Sequence, residues 1–178
     1  MNKEFDFYRI KMAFKDEATD GAIVPVKTED LVMATCYTEA EQIATRLMEG
    51  KDRFGDVAYE IVKTKIDKVY FNDTFHVDEN LICGLISYYF EEDLDTEVGL
   101  YAVDVIVYTT DEKSGKTKAN KVVIYLPERY SYEAIQDAKY IISQEYANCD
   151  YCVRSVKYDK AQSVMVTPET HKANTNAQ

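Results

Sequence analysis

Tryptophan is absent from the 178 residues, histidine appears only twice, and nowhere do ~18 apolar residues run together. The last of these absences argues against a membrane-spanning helix, and the opening MNKEFDFYRIKMAF lacks the apolar core of a secretory signal. The expectation is a cytoplasmic protein with no membrane contact. Four cysteines, Cys36, Cys83, Cys149 and Cys152, are too few and too irregularly spaced for a secreted disulfide framework, so they read as reduced thiols. Positive charge is also short. The 21 Lys and Arg against 32 Asp and Glu leave a net charge of −11, which repels phosphate backbones and disfavours nucleic-acid binding by the surface as a whole. A local basic strip stays open.

The chain has in plenty what a folded body needs: 46% hydrophobic residues, and 15 tyrosines that favour strands, where aromatic side chains pack across neighbours. Its most informative feature is a repeat. Tyr59 to Lys68, YEIVKTKIDK, returns as Tyr151 to Lys160, YCVRSVKYDK, at an offset of 92 (151 less 59). Before the first copy, Phe5 to Phe14 alternates as a strand with a slip near Tyr8, and Ile23 to Val26 with Leu31 to Cys36 supplies a return that Pro25 makes irregular. Thr38 with Glu41 has the spacing of a capping box, and Ala40, Ile43, Ala44, Leu47 and Met48 form one helical stripe that Gly50 ends. Before the second copy, YAVDVIVY at Tyr101 to Tyr108 and KVVIYL at Lys121 to Leu126 flank a charged turn containing Gly115. Ser131 is the expected cap of a helix whose stripe is Ala134, Ala138, Ile141 and Ile142. That stripe lies 94 residues (134 less 40) from the first, so the difference from 92 falls in the loop after the helix, where length changes are tolerated.

These patterns predict an α+β fold of two tandem β-β-α-β modules, each with an antiparallel sheet and one helix, related by a pseudo-twofold. The expected boundaries are residues 1–69 and 100–166 for the modules, 70–99 for a connecting arm with extra strand content, and 167–178 for a flexible tail. The hairpin DEKSGKTK, the helix opening YTEAE and the strand YEIVKTKIDKVYF, in one duplicated frame, resemble an uncharacterised domain-of-unknown-function family. Gut anaerobes and their tailed phages and mobile elements encode that family. The likeness spans roughly Phe5 to Met165 and implies a small protein of phage or mobile-element origin, in the host cytosol or associated with a virion. It carries no catalytic residue to transfer.

The candidate chemistry is sparse. Cys149 and Cys152 have the spacing of a redox or zinc pair, but the motif enters a strand instead of opening a helix, and no second ligand pair accompanies it, so neither metal nor cofactor is expected. His76 has no nucleophile pattern around it. The acidic run Glu91, Glu92, Asp93, Asp95 and Glu97 lacks the spacing of a calcium loop and reads as a solvated connector. Lys113, Lys116, Lys118 and Lys121, with Lys63, Lys65 and Lys68 and with Tyr101, Tyr108 and Tyr125 for stacking, form the candidate nucleic-acid strip, although lysines also protect strand edges. Tyr88, Tyr89 and Phe90 cannot all face one core from a single strand, so at least one points outward as a candidate partner contact. The leading expectation is a non-enzymatic interaction or structural protein that binds protein partners or self-associates. The alternatives are a single-stranded nucleic-acid accessory protein and an acidic mimic of nucleic acid.

Overall fold

Alternation sends Tyr8, Ile10 and Met12 to one face of a strand, where each is at most 5% exposed, and this fixes β1 (Asp6–Glu17) against β2 (Ile23–Ala34). The pairing runs unbroken from Asp6↔Ala34 to Glu17↔Ile23, so the slip at Tyr8 is no bulge: Phe5 and Phe7 simply occupy the opposite face. α1 (Tyr37–Met48) lays Ala40, Ile43 and Ala44 on that hairpin. Its start lies ahead of the expected cap. Cys36 is the N-cap, and the glutamate that reaches back is Glu39, accepting the Thr35 N–H at 2.8 Å, in place of Thr38 and Glu41. Gly50, at φ 78°, ends the helix in the left-handed conformation that costs glycine least.

β3 (Ala58–Lys63) follows and pairs antiparallel with β1. The chain then forms β4 (Lys68–Val69), β5 (Phe75–Ile82) and β6 (Leu85–Phe90), β5 and β6 being joined through Cys83 and Gly84, both at positive φ. A second long hairpin, β7 (Gly99–Thr110) and β8 (Thr117–Glu128), precedes α2 (Ser131–Glu145), β9 (Asp150–Asp159), β10 (Ser163–Val166) and α3 (Pro168–Asn176). This computed structural model describes residues 4–90 and 98–176.

The strands form two mixed sheets, in the orders β3-β1-β2-β10-β6-β5 and β4-β8-β7-β9. The described residues are mostly β, at 51% strand and 22% helix, and do not form two tandem β-β-α-β modules with antiparallel sheets and one helix each. Two short strands overturn that expectation. β4 follows β3 in sequence but pairs parallel with β8, and β10 follows β9 but pairs parallel with β2, so each joins the sheet its predecessor does not belong to. The compact units are accordingly discontinuous and do not follow the expected segments: residues 1–65, 76–89 and 161–178 make one, and residues 66–75 and 90–160 the other. The arm supplies β5 and β6 to the six-stranded sheet, and the expected tail is α3 as far as Asn176.

Each short strand is fastened by an aspartate. On β4's approach, Asp67 accepts the Val123 N–H at 2.7 Å while its own N–H donates to the Val123 carbonyl at 3.0 Å. Beside β10, Asp30 is buried at 3% exposure and accepts from Gln162 Nε2 at 3.2 Å and from Ser163 Oγ. A buried carboxylate is tolerated only when its lone pairs are met in this way. In the second unit, Val103, Val105 and Val107 of β7 with Ile124 and Leu126 of β8 meet Ala134, Ala138, Ile141 and Ile142 of α2. Fully burying each valine or leucine contributes about 1.5–3 kcal/mol before entropy is counted.

Candidate interaction surface

Around α2 the second unit exposes aromatic surface. Tyr130, Tyr132, Tyr140 and Tyr158 are 52%, 57%, 65% and 63% exposed, each more than half open to solvent. The rings of Tyr130 and Tyr132 stack at 5.5 Å with an interplanar angle of 9°, flanking the first residue of the helix. Tyr158 pairs across the strands with Tyr101, their rings meeting edge-on at 5.7 Å. Gly99 makes room for this arrangement, since a Cβ there would fall 2.1 Å from the Tyr158 ring. Tyr101 also directs its hydroxyl toward the Arg129 carbonyl at 3.5 Å, which ties the ring pair to the segment entering α2.

Carboxylates gather in the same region, with Arg129 and Lys139 in the same stretch of chain. Glu128, half-buried at the end of β8, is held by burial, by a hydrogen bond with Asp137 of α2, and by the charges of Asp137, Glu133 and Asp73. Together these push its carboxyl up to about 8, so at neutral pH it keeps a proton that it shares toward Asp137. Burial first, then the neighbouring Tyr158 and Glu133, raises the Tyr101 hydroxyl as well. Among the described residues no salt bridge reaches Glu128, Glu133 or Asp137. The arrangement offers exposed π faces beside Glu133, a carboxylate that no salt bridge among the described residues neutralises.

The residues singled out from sequence fall elsewhere. Tyr88 is 4% exposed, with its hydroxyl 2.6 Å from His171 Nδ1 of α3, while Tyr89 is 37% exposed and Phe90 lies on Phe75 at 5.1 Å. Strand alternation therefore turns Tyr88 inward and leaves Tyr89 the outward-facing member of the run. Lys113 and Lys116 sit on the β7–β8 turn with Asp111 and Glu112 among them, and Lys121 pairs with Asp104 at 3.0 Å. Lys118 and Lys121, three residues apart on β8, face opposite sides of the sheet. Of the stacking candidates, Tyr108 is 40% exposed, but Tyr125 is buried and donates to Asp159 at 3.0 Å.

Cys36, Cys83 and Cys152 are exposed, Cys149 is half-buried, and all four are free thiols. Among the described residues no group of three or more His, Cys, Asp or Glu is placed to hold a metal ion. His76 is exposed on β5, and the acidic run at 91–97 lies outside the described residues. A cleft of about 340 Å³ in the first unit is lined in part by Phe5, Glu39, Gln42, Cys83, Leu85 and Glu169. It sets one thiol beside carboxylates, and Glu39 is already engaged in holding the start of α1. No helix among the described residues is long and apolar enough to cross a membrane.

In sequence, the apolar stripe of the α2 segment is a stronger signal than its exposed tyrosines. Their own signal is present in YSYEAIQDAKY, where Tyr132 and Tyr140 stand two turns apart on the side of the helix that the stripe leaves to solvent.

The chain belongs to the family described as a domain of unknown function (DUF4494), which it matches over residues 6–167. No curated protein and no solved structure matches it.

Proposed function

We propose that this is a non-enzymatic interaction protein that binds a protein partner through the tyrosine-bearing surface around α2. The observation that supports the reading is the gathering of Tyr130, Tyr132, Tyr140 and Tyr158 on one unit, each more than half exposed. A large, rigid aromatic surface with a polar tip is what protein contacts use, because it buries area at small entropic cost. The phage or mobile-element setting implied by the family resemblance belongs to this reading, with the partner in the host cytosol or on a virion.

The test compares wild type with Tyr132→Ser/Tyr140→Ser. Tagged protein is recovered from cells that carry its natural neighbours, bound chains are quantified by mass spectrometry, and self-association is followed by size-exclusion chromatography with light scattering. The reading expects specific partners, or the oligomer, to be lost from the variant while its unfolding midpoint holds. An unchanged set of bound chains together with an unchanged oligomeric state would refute it.

A further inference from the structure

The character of the surface around α2 also narrows what it binds. A second copy of this chain would bring its own charge of −11 to the patch, and a nucleic acid would bring phosphates. A wholly apolar helix would cover Glu133 without giving it a partner, and would leave Asp137 with only the proton it shares with Glu128, so charge would be stranded at a cost. A cationic side chain satisfies both parts of the surface, since an ammonium or guanidinium lies favourably over a tyrosine ring and pairs with a carboxylate beside it. The stacked Tyr130 and Tyr132 rings present such a face, and Glu133 follows Tyr132 directly in the first turn of α2. Asp137 stands one turn further along the same helix, again without a salt bridge among the described residues.

Resting on the reading of this face as a docking surface, we infer that its occupant is a Lys- or Arg-rich segment of a protein partner. Its cationic groups lie over the exposed tyrosine rings and pair with Glu133 and Asp137. The overall negative charge would speed the approach of such a segment, and the rings would hold it once it had arrived.

The probe is a fluorescein-labelled peptide alternating basic residues with Gly and Ser, followed by fluorescence anisotropy against the full chain. A peptide with Glu at each basic position serves as the comparison. Wild type is expected to bind the basic peptide and not the acidic one. Binding should weaken about tenfold or more in Glu133→Gln/Asp137→Asn and in Tyr130→Ser/Tyr132→Ser. It should hold within about twofold in Glu60→Gln/Glu79→Gln, which removes the same charge from exposed positions on β3 and β5. Equal weakening in all three variants would show that net charge alone attracts the peptide, and would overturn the inference, as would failure of wild type to bind it. If the basic peptide fails while the tyrosine variant still loses its captured partner, the docking surface stands and only its cationic occupant falls.

Discussion

On β1 the side chains facing the helix are Tyr8, Ile10 and Met12, and on β7 they are Val103, Val105 and Val107. Ile10 stands opposite Ile61 of β3 in an unbroken antiparallel pairing, whereas Val105 stands opposite Val153 of β9 just past a register shift between Asp104 and Val105. They differ on the inner strand too. Ile10 faces Asp30 across the first hairpin, whereas Val105 faces Val122 across the second, both partners being buried. One sheet receives its extra parallel strand on a carboxylate of its own, and the other on Asp67 of the incoming segment. Outside the cores the contrast is greater. On and beside α1 only Tyr37 is a tyrosine more than half exposed, but Tyr130, Tyr132 and Tyr140 lie on or beside α2. Each unit buries the inner face of its long hairpin under a helix, and it is in their outer surfaces that the two differ most.

The comparison breaks first in the cores. Ile142→Ala in α2 and Ile43→Ala in α1 each remove a buried branched side chain, and each should cost about 3 kcal/mol in urea unfolding. Two separate transitions would mean that the units unfold independently. Asp30→Ala should cost about 2 kcal/mol, because Ser163 Oγ and Gln162 Nε2 lose their acceptor, whereas Val122→Ala at the facing position of the other hairpin should cost about 1 kcal/mol. A smaller loss for Asp30→Ala than for Val122→Ala would contradict the fastening role given to the aspartate. Gly99→Ala should cost about 1 kcal/mol, since the Tyr158 ring must swing away from Tyr101, and the ring resonances of both should shift in NMR spectra.

Protonation sharpens the contrast further. Glu128 is raised from its ordinary 4.5 to about 8, so the folded chain holds a proton that the unfolded chain gives up. The stabilisation from that proton is complete below about 4.5 and is lost as pH rises through about 8. Glu128→Gln should flatten the stability profile across this window, and thermal unfolding at a series of pH values checks it. The smallest effect is expected at the surface, where Tyr140→Ser should move stability by no more than about 0.5 kcal/mol. A larger loss would make that ring part of the fold and not of a contact.

Much of the local structure was legible. The stripes Ala40, Ile43, Ala44 and Ala134, Ala138, Ile141, Ile142 are buried as their spacing requires, because helical periodicity is a property of neighbouring residues. Sheet membership is not local. KV and SVMV are too short to announce themselves as strands, and nothing near them in sequence indicates that each pairs in parallel with a distant hairpin. Part of the candidate surface was hidden for a related reason: Tyr158 and Tyr101 come from separate strands and meet only once β7 and β9 are paired. Tyr88, conspicuous in the run YYF, proves to be enclosed with His171.

The crossing of β10 has a consequence for synthesis. As the chain leaves the ribosome, β1, β2, α1 and β3 emerge before β10, yet the row of backbone groups along β2 that they expose waits for residues 163–165, which appear only after β4 to β9. Until then the unfinished border can pair with whatever extended peptide comes near. Nascent chains stalled ahead of Ser163 should therefore be the aggregation-prone species, and a separately supplied peptide covering Ala161 to Asn176 should be able to close them.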